Sequence, residues 1–322
     1  WARMCIRDRI SIGDKADTDA AVAAAQAAFP AWAATAPAER LAYVEKILDI
    51  YKRRAKDMAR AISLEMGAPQ DMSLDDQVDC GVYHIDNFIA AFKDFKFVRP
   101  LSTDTPDTMI AWEPVGVVAS ITPWNWPMNQ VTLKVIPAIL AGDTVILKPS
   151  EIAPLSSVVW TEIVHVAGLP AGVYNMVNGD GMGVGTQLST HPDVDMVSFT
   201  GSTRAGVAIT KAAADTVKKV VLELGGKGAN LVFADADENA VARGVKHCFY
   251  NSGQSCNAPT RMLVERSFYD KAVEIAKKVA DETAVDIAHK EGAHIGTVIS
   301  KLQFDKIQGL IQDGINEGAR LV

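Results

Sequence analysis

Apolar residues recur at helical spacing through positions 17–95, and the pattern then changes to short apolar runs separated by helical stretches. Asp17–Ala34 is Ala-rich, starts with acidic residues and is interrupted by Pro30; it reads as a helix. Ala38–Met66 places Leu41, Val44, Ile47, Leu48 and Tyr51 at helical spacing and stops at Gly67, a residue type suited to ending a helix. Gln70–Phe95 repeats the pattern less cleanly. Pro100–Asp107 is polar and reads as a connector, followed by expected strands at Thr108–Trp112 and Gly116–Thr122.

From there strands and helices alternate. A helix after Pro127 leads to a strand at Thr144–Leu147, and a helix at Leu155–Ala167 to a strand at Val173–Val177. Val184–Ser189 reads as helix, Met196–Phe199 as strand, Ala205–Ala214 as helix and Val220–Leu222 as strand. The βαβα rhythm predicts an α/β fold with a doubly wound parallel sheet. After Gly225-Gly226 the rhythm restarts with strand Ala229–Phe233, helix Glu238–Tyr250, strand Arg261–Val264 and helix Ser267–Ala280, which predicts a second α/β domain. No repeat or low-complexity stretch interrupts it.

Composition agrees with this picture. The chain has 322 residues, 48% hydrophobic and 22% charged, and domains of roughly 150 residues suggest two. A net charge of −7 favours neither nucleic acid nor an anionic membrane as partner. No apolar run reaches the ~18 residues of a spanning helix, and no signal-peptide pattern opens the chain, so a cytoplasmic location is the default expectation. Cys5, Cys80, Cys248 and Cys256 form no CxxC pair, and no Cys/His cluster has metal spacing, so no metal site is expected. Two ends stand apart. Residues Trp1–Arg9 do not fit the following pattern and read as a non-native leader, while the final NEGARLV reads as a helix leading into a strand.

Candidate chemistry lies at the ends of the predicted strands. Phe199-Thr-Gly-Ser-Thr-Arg-Ala-Gly206 sits where a strand gives way to a helix. Gly201 would permit a tight turn there, and the free N–H groups opening the helix suit a phosphate. The spacing is not GxGxxG, and a plain strand-to-helix turn explains it as well. Gly181, Gly183 and Gly185 have no such register either and read as punctuation. Lys148-Pro-Ser-Glu151 follows a strand, where a lysine and a carboxylate can meet ribose hydroxyls; a solvated loop is the plainer reading.

Tyr250-Asn-Ser-Gly-Gln-Ser-Cys256-Asn is a loop of small and polar residues that would leave a thiol accessible among donors that favour thiolate, although a structural cysteine reads as well from these residues alone. Cys248 belongs to the preceding helix and Cys80 to an amphipathic segment, so both are expected to be buried. Glu223-Leu-Gly-Gly-Lys227 follows a hydrophobic strand, and its carboxylate could serve as a general base or be an ordinary surface carboxylate. Asn125, in Trp124-Asn-Trp-Pro127, offers an amide donor for an oxyanion or a turn amide among aromatics.

Taken together and in order, EPVGVV, ITPWNWP, GDTVILKPSE, AGLPAGVYNMV, FTGST, LELGGK and NSGQSC resemble the aldehyde dehydrogenase superfamily, over about Asp17 to Val322. The resemblance implies Cys256 as nucleophile, Glu223 as general base, Asn125 with the Cys256 N–H as oxyanion hole, and Lys134 as a proton relay near Glu223. It implies NAD, with NADP possible, held by Thr122, Trp124, Lys148, Ser150, Glu151, Thr200, Gly201, Ser202 and Leu224. Ser202 matches the pyrophosphate contact, and Lys148 with Glu151 the adenine-ribose contacts. The base at position 223 implies a free carboxylic acid as product.

Within that family, residues 10–99 and 115–223 correspond to the dinucleotide-binding domain, 100–114 to part of an oligomerisation arm, and 224–322 to an incomplete catalytic domain. A homo-oligomer, dimer or tetramer, is implied. Family members run longer, and the segment completing the nicotinamide site and substrate tunnel would lie beyond Val322. Trp126 stands where phenylalanine is common and Leu133 where some members place an aromatic. Two competing readings are a cysteine-dependent esterase using Cys256 and Glu223 without cofactor, and a non-catalytic dinucleotide-binding fragment.

Overall fold

The computed structural model describes residues 10–290 and 292–322. The leader expected at residues 1–9 lies outside them. The chain divides into two compact units, one holding the residues before Ser63 with Leu74–Leu224, the other Ser63–Ser73 with Gly225–Val322.

Helix α1 (Lys15–Ala33) opens the first unit. Asp14 caps it, accepting from the N–H groups of Ala16 and Asp17 at 2.7 and 3.1 Å, while the Asp17 carboxylate accepts from Asp14 N–H at 3.0 Å. This reciprocal box satisfies N–H groups that a helix end otherwise orphans. The single helix expected over Ala38–Met66 is two, α2 (Pro37–Arg53) and α3 (Ala55–Met66), broken at Arg54. The expected helix over Gln70–Phe95 contains one turn at Gln70–Met72, a π-helical turn at Ser73–Val78, and then α4 (Asp79–Asp94). Strands β1 (Val98–Pro100) and β2 (Met109–Ala111) pair antiparallel as a separate hairpin.

The centre of this unit is a five-stranded, wholly parallel sheet. Its strands are β3 (Val117–Ile121), β4 (Thr144–Lys148), β5 (Tyr174–Met176), β6 (Met196–Gly201) and β7 (Lys219–Leu224), in the order β5-β4-β3-β6-β7. Helices α5 (Pro127–Ala141), α6 (Leu155–Ala167), α7 (Thr186–Thr190) and α8 (Thr203–Ala213) connect them. Every residue of β3 and β4 is buried, as expected for strands covered on both faces. On one face, Val22 of α1 and Ile209 of α8 pack with Ala119, Ile146 and Val197. The other face carries the alternate residues, and α5 packs there on β3 and β4. Glycines at positive φ, Gly142 (100°) and Gly168 (78°), end α5 and α6.

The Gly-rich stretch Gly181–Gly185, expected to be mere punctuation, is a π-helical turn capped by Asp180, whose carboxylate accepts from Gly183 N–H at 2.5 Å. The doubly wound class expected from the sequence is therefore the architecture of this unit.

The second unit holds a two-stranded parallel sheet, β8 (Ala229–Val232) with β9 (Arg261–Val264). Helices α9 (Ala240–Phe249) and α10 (Tyr269–Glu282) pack on it around Val232, Val241, Val245, Ala272 and Val279. Helix α11 (Lys301–Asn316) has no counterpart in the pattern reading except at its last residue, which opens the NEGARLV expected to start as helix. It ends before the final NEGARLV has run its course, and residues 317–322 form no strand, against expectation.

Candidate active site

Register places most of the candidate residues on one edge of the five-stranded sheet. Ile121 pairs with Lys148 across β3 and β4, and Thr200 and Gly201 pair with Glu223 and Leu224 across β6 and β7. Thr122 N–H donates to the Lys148 carbonyl at 3.1 Å. Thr122, Lys148, Thr200, Gly201, Glu223 and Leu224 thus all lie at the carboxyl ends of neighbouring strands. Lys148, Glu223 and Leu224 are inside their strands, not in the loops after them as the sequence suggested. The chain leaves β3 toward β4 on one side and returns through β6 on the other. A crevice opens at such a reversal of strand order, and open α/β sheets bind ligands there.

Several side chains at this edge fit a dinucleotide. Ser202 is the N-cap of α8, with Oγ accepting from Ala205 N–H at 3.2 Å, so the positive end of an eleven-residue helix faces the edge. Thr200 is buried, and its hydroxyl has no hydrogen-bond partner among the described residues. A buried hydroxyl in that state calls for an external partner. Gly201 does not adopt a left-handed φ, contrary to the tight-turn expectation. It is glycine because a Cβ there would run into the Phe199 ring. Gly206 has a related reason, since a Cβ would come within 2.9 Å of Leu224 Cδ2, so α8 lies close on β7.

Lys148 is 3% exposed. Its Nζ donates to the Pro149 carbonyl at 2.9 Å and to Glu151 Oε2 at 3.2 Å. Burial lowers its pKa, and the Glu151 charge opposes that shift. Ser150 between them is buried, while Glu151 keeps an exposed side chain that can receive a hydroxyl.

Asn125 and Trp124 lie in the irregular stretch 122–126 between β3 and α5. Gln77, from the π-helical turn, donates through Nε2 to the Asn125 carbonyl at 3.2 Å. Pattern reading missed Gln77; the only hint was the less regular spacing of its segment. Lys134, on α5, is buried, and burial lowers its pKa to about 8 against the pull of the Glu223 charge.

Cys256 belongs to the second unit. Before it, the 3-10 turn Tyr250–Gly253 carries Asn251, Ser252 and Gly253 at φ of 52°, 57° and 72°. Consecutive left-handed residues are costly unless their surroundings hold them. Here Gln254 Nε2 donates to the Asn251 carbonyl at 3.0 Å, Ile299 N–H to Gln254 Oε1 at 2.9 Å, and Ser252 Oγ to the Gly296 carbonyl at 2.7 Å. Cys256 follows in a turn and is exposed. Gly226 lies against it, as a Cβ there would sit 3.5 Å from the Cys256 carbonyl oxygen. Cys80 and Cys248 are half-buried rather than core residues, a correction to the sequence reading, and burial raises the pKa of both. Among the described residues no group of His, Cys, Asp and Glu is placed to hold a metal, and no helix is long and apolar enough to cross a membrane.

The aldehyde dehydrogenase family pattern matches residues 6–322, reaching into the stretch expected to be foreign. A 3-succinoylsemialdehyde-pyridine dehydrogenase from a Pseudomonas species is 45% identical over 97% of the chain and 65% of its own length. The crystal structure of an aldehyde dehydrogenase from Bartonella henselae is 60% identical at a TM-score of 0.96, with 97% of this chain and 66% of that one covered. The AldC aldehyde dehydrogenase of Pseudomonas syringae, a cysteine-to-alanine variant in complex with NAD+ and octanal, is 44% identical at a TM-score of 0.94, with 97% and 64% covered. The chain spans about 65% of the length of the curated relatives it matches. It belongs to the aldehyde dehydrogenase family.

Proposed function

We propose that the protein containing this chain oxidises an aldehyde to a carboxylic acid with NAD. The observation that carries this reading is the gathering of Thr122, Lys148, Thr200, Ser202 and Glu223 along one sheet edge at the reversal of strand order. Residues 10–99 and 115–223 serve as the dinucleotide domain and 224–322 as part of the catalytic domain. The 100–114 segment, with the β1–β2 hairpin around it, serves in homo-oligomer assembly. Trp124 and Leu224 line the dinucleotide path.

Thr200 and the α8 N-terminus with Ser202 would hold the pyrophosphate, and Lys148, Ser150 and Glu151 the adenine ribose. NAD, when bound, supplies the hydride acceptor. The protein's own residues do the rest. The Cys256 sulfur, as thiolate, forms a bond to the aldehyde carbon, and the carbonyl electron pair moves to oxygen. The Asn125 amide and the Cys256 N–H donate to that oxyanion, a role worth about 3–4 kcal/mol in comparable sites. Loss of hydride leaves a thioester on Cys256. Glu223 then takes a proton from water, the resulting hydroxide adds to the thioester carbon, and the C–S bond breaks to release the acid and the thiolate. Lys134, with its pKa near 8 beside Glu223, is suited to pass that proton onward.

Absorbance of NADH in a panel of aldehydes tests the reading. Cys256→Ala should abolish NADH formation while NAD still binds, and Glu223→Gln should let a first burst of NADH appear and then stall the thioester. Continued turnover by Cys256→Ala would overturn the nucleophile, and normal steady-state turnover by Glu223→Gln would overturn the base. Ester cleavage of equal rate without NAD would favour the cysteine-dependent esterase instead.

A further inference from the structure

Gln77 is fully buried, in the π-helical turn Ser73–Val78 that precedes α4. Its Nε2 donates to the backbone carbonyl of Asn125 at 3.2 Å. Its Oε1 is buried and has no hydrogen-bond partner among the described residues. A buried amide with one arm unpaired is a poor way to fill space, since a methionine or leucine would fill it without a stranded oxygen. What the glutamine adds over an apolar residue is the bond to position 125.

That bond falls where the backbone needs it. Stretch 122–126 has no repeating hydrogen-bond pattern of its own. Trp126, immediately before α5, has φ −138° and ψ 71° and no side-chain cap. The direction of the peptide joining Asn125 to Trp126 is therefore not inherited from the helix. A donor on its carbonyl fixes that peptide plane, and with it the direction in which the Asn125 side chain leaves the backbone. The π turn contributes by adding one residue to a helical turn, so that Gln77 and Val78 both face inward.

We infer that Gln77 is a positioning residue for Asn125, holding the oxyanion donor in line through its carbonyl. The inference rests on the reading of Asn125 as that donor. Misplacing a catalytic group by about 1 Å can cost on the order of 10²-fold in rate.

A double-mutant cycle tests it in the active protein that contains this chain. Gln77→Met keeps volume and removes the donor. It should lower kcat by about tenfold or more, leave the KM for NAD unchanged and leave the melting temperature the same or higher. In an Asn125→Ala background the same substitution should change kcat by less than about twofold, because Gln77 acts only through that side chain. Equal losses in both backgrounds, or a wild-type kcat in Gln77→Met, would overturn the inference while leaving Asn125 in place. Asn125→Ala with an unchanged rate would instead remove the oxyanion reading, and the role of Gln77 with it. Should Gln77→Met not fold, Gln77→Glu, of nearly the same shape, enters the same cycle and is read against the same outcomes.

Discussion

Lys148 Nζ and Glu151 Oε2 lie 3.2 Å apart, with the lysine buried and the carboxylate side chain 41% exposed. The ammonium also donates to the Pro149 carbonyl, so two of its three protons are committed. Under the proposed function, Glu151 is the outward group that meets the ribose. A hydroxyl can donate to it, whereas a 2′-phosphate would bring like charges together. Two such charges at 4 Å cost about 4 kcal/mol at an effective dielectric of 20, and solvent at the exposed carboxylate reduces this. Glu151→Gln should therefore shift the ratio of kcat/KM values toward NADP by about tenfold or more, since 1.4 kcal/mol is a factor of ten. An unchanged ratio would show that Glu151 does not discriminate between the two.

The Lys134 ammonium yields a pH prediction with a definite sign. Burial lowers its pKa from 10.5 to about 8, partly opposed by Glu223. Below pH 8 the folded protein carries a desolvated charge that the unfolded chain keeps hydrated, and this costs stability. Between pH 8 and 10.5 the unfolded state binds more protons than the folded state, so the penalty fades as pH rises. Each pKa unit corresponds to 1.36 kcal/mol, so the whole effect is about 3 kcal/mol at most. Lys134→Met should raise the melting temperature at pH 7, and that gain should shrink steadily toward pH 10.5. A gain of constant size across the range would mean that the lysine titrates normally.

Much of this arrangement was legible in the amino-acid pattern, for identifiable reasons. Strands β3 and β4 announce themselves as mostly apolar runs without alternation because helices cover both faces, and α6 is bounded by Pro154 and Gly168. Less could be read where no punctuating residue marks an event. Arg54 splits a long helix with neither glycine nor proline at the break. The π turn at Ser73–Val78 inserts one residue into a helical pattern, which only blurs its periodicity, and Gln77 was hidden there. Lys134 was marked only by the family resemblance, since its burial depends on what α5 packs against, which no local pattern carries.

Gly201 shows how a glycine can be singled out for one physical reason and held by another. A glycine at a strand-to-helix junction suggests a left-handed turn, yet the constraint here is the Phe199 ring, itself buried. Gly201→Ala should therefore overpack the junction and cost about 1–3 kcal/mol, seen as a lower denaturation midpoint. Because the clash is with a side chain, Phe199→Leu in the same protein should restore part of the loss. If Gly201→Ala is neutral, the ring moves aside freely; if Phe199→Leu rescues nothing, the constraint lies in the backbone.

Thiol reactivity separates the cysteines without any assay of catalysis. Cys256 is exposed in a turn, whereas Cys80 and Cys248 are half-buried and held above their ordinary pKa by burial. Alkylation proceeds through thiolate, so both access and ionisation disfavour the latter two. A limiting pulse of iodoacetamide at pH 7 should modify Cys256 ahead of Cys80 and Cys248, which burial both shields and holds in the thiol form. Peptide mass spectrometry on the folded protein reads the order directly. Denaturing the protein first should collapse the difference, because the distinction belongs to burial and not to local sequence. Preferential labelling of Cys248 over Cys256 would mean that the loop carried by Asn251, Ser252 and Gly253 does not present its sulfur to solvent, and the nucleophile would have to be sought elsewhere.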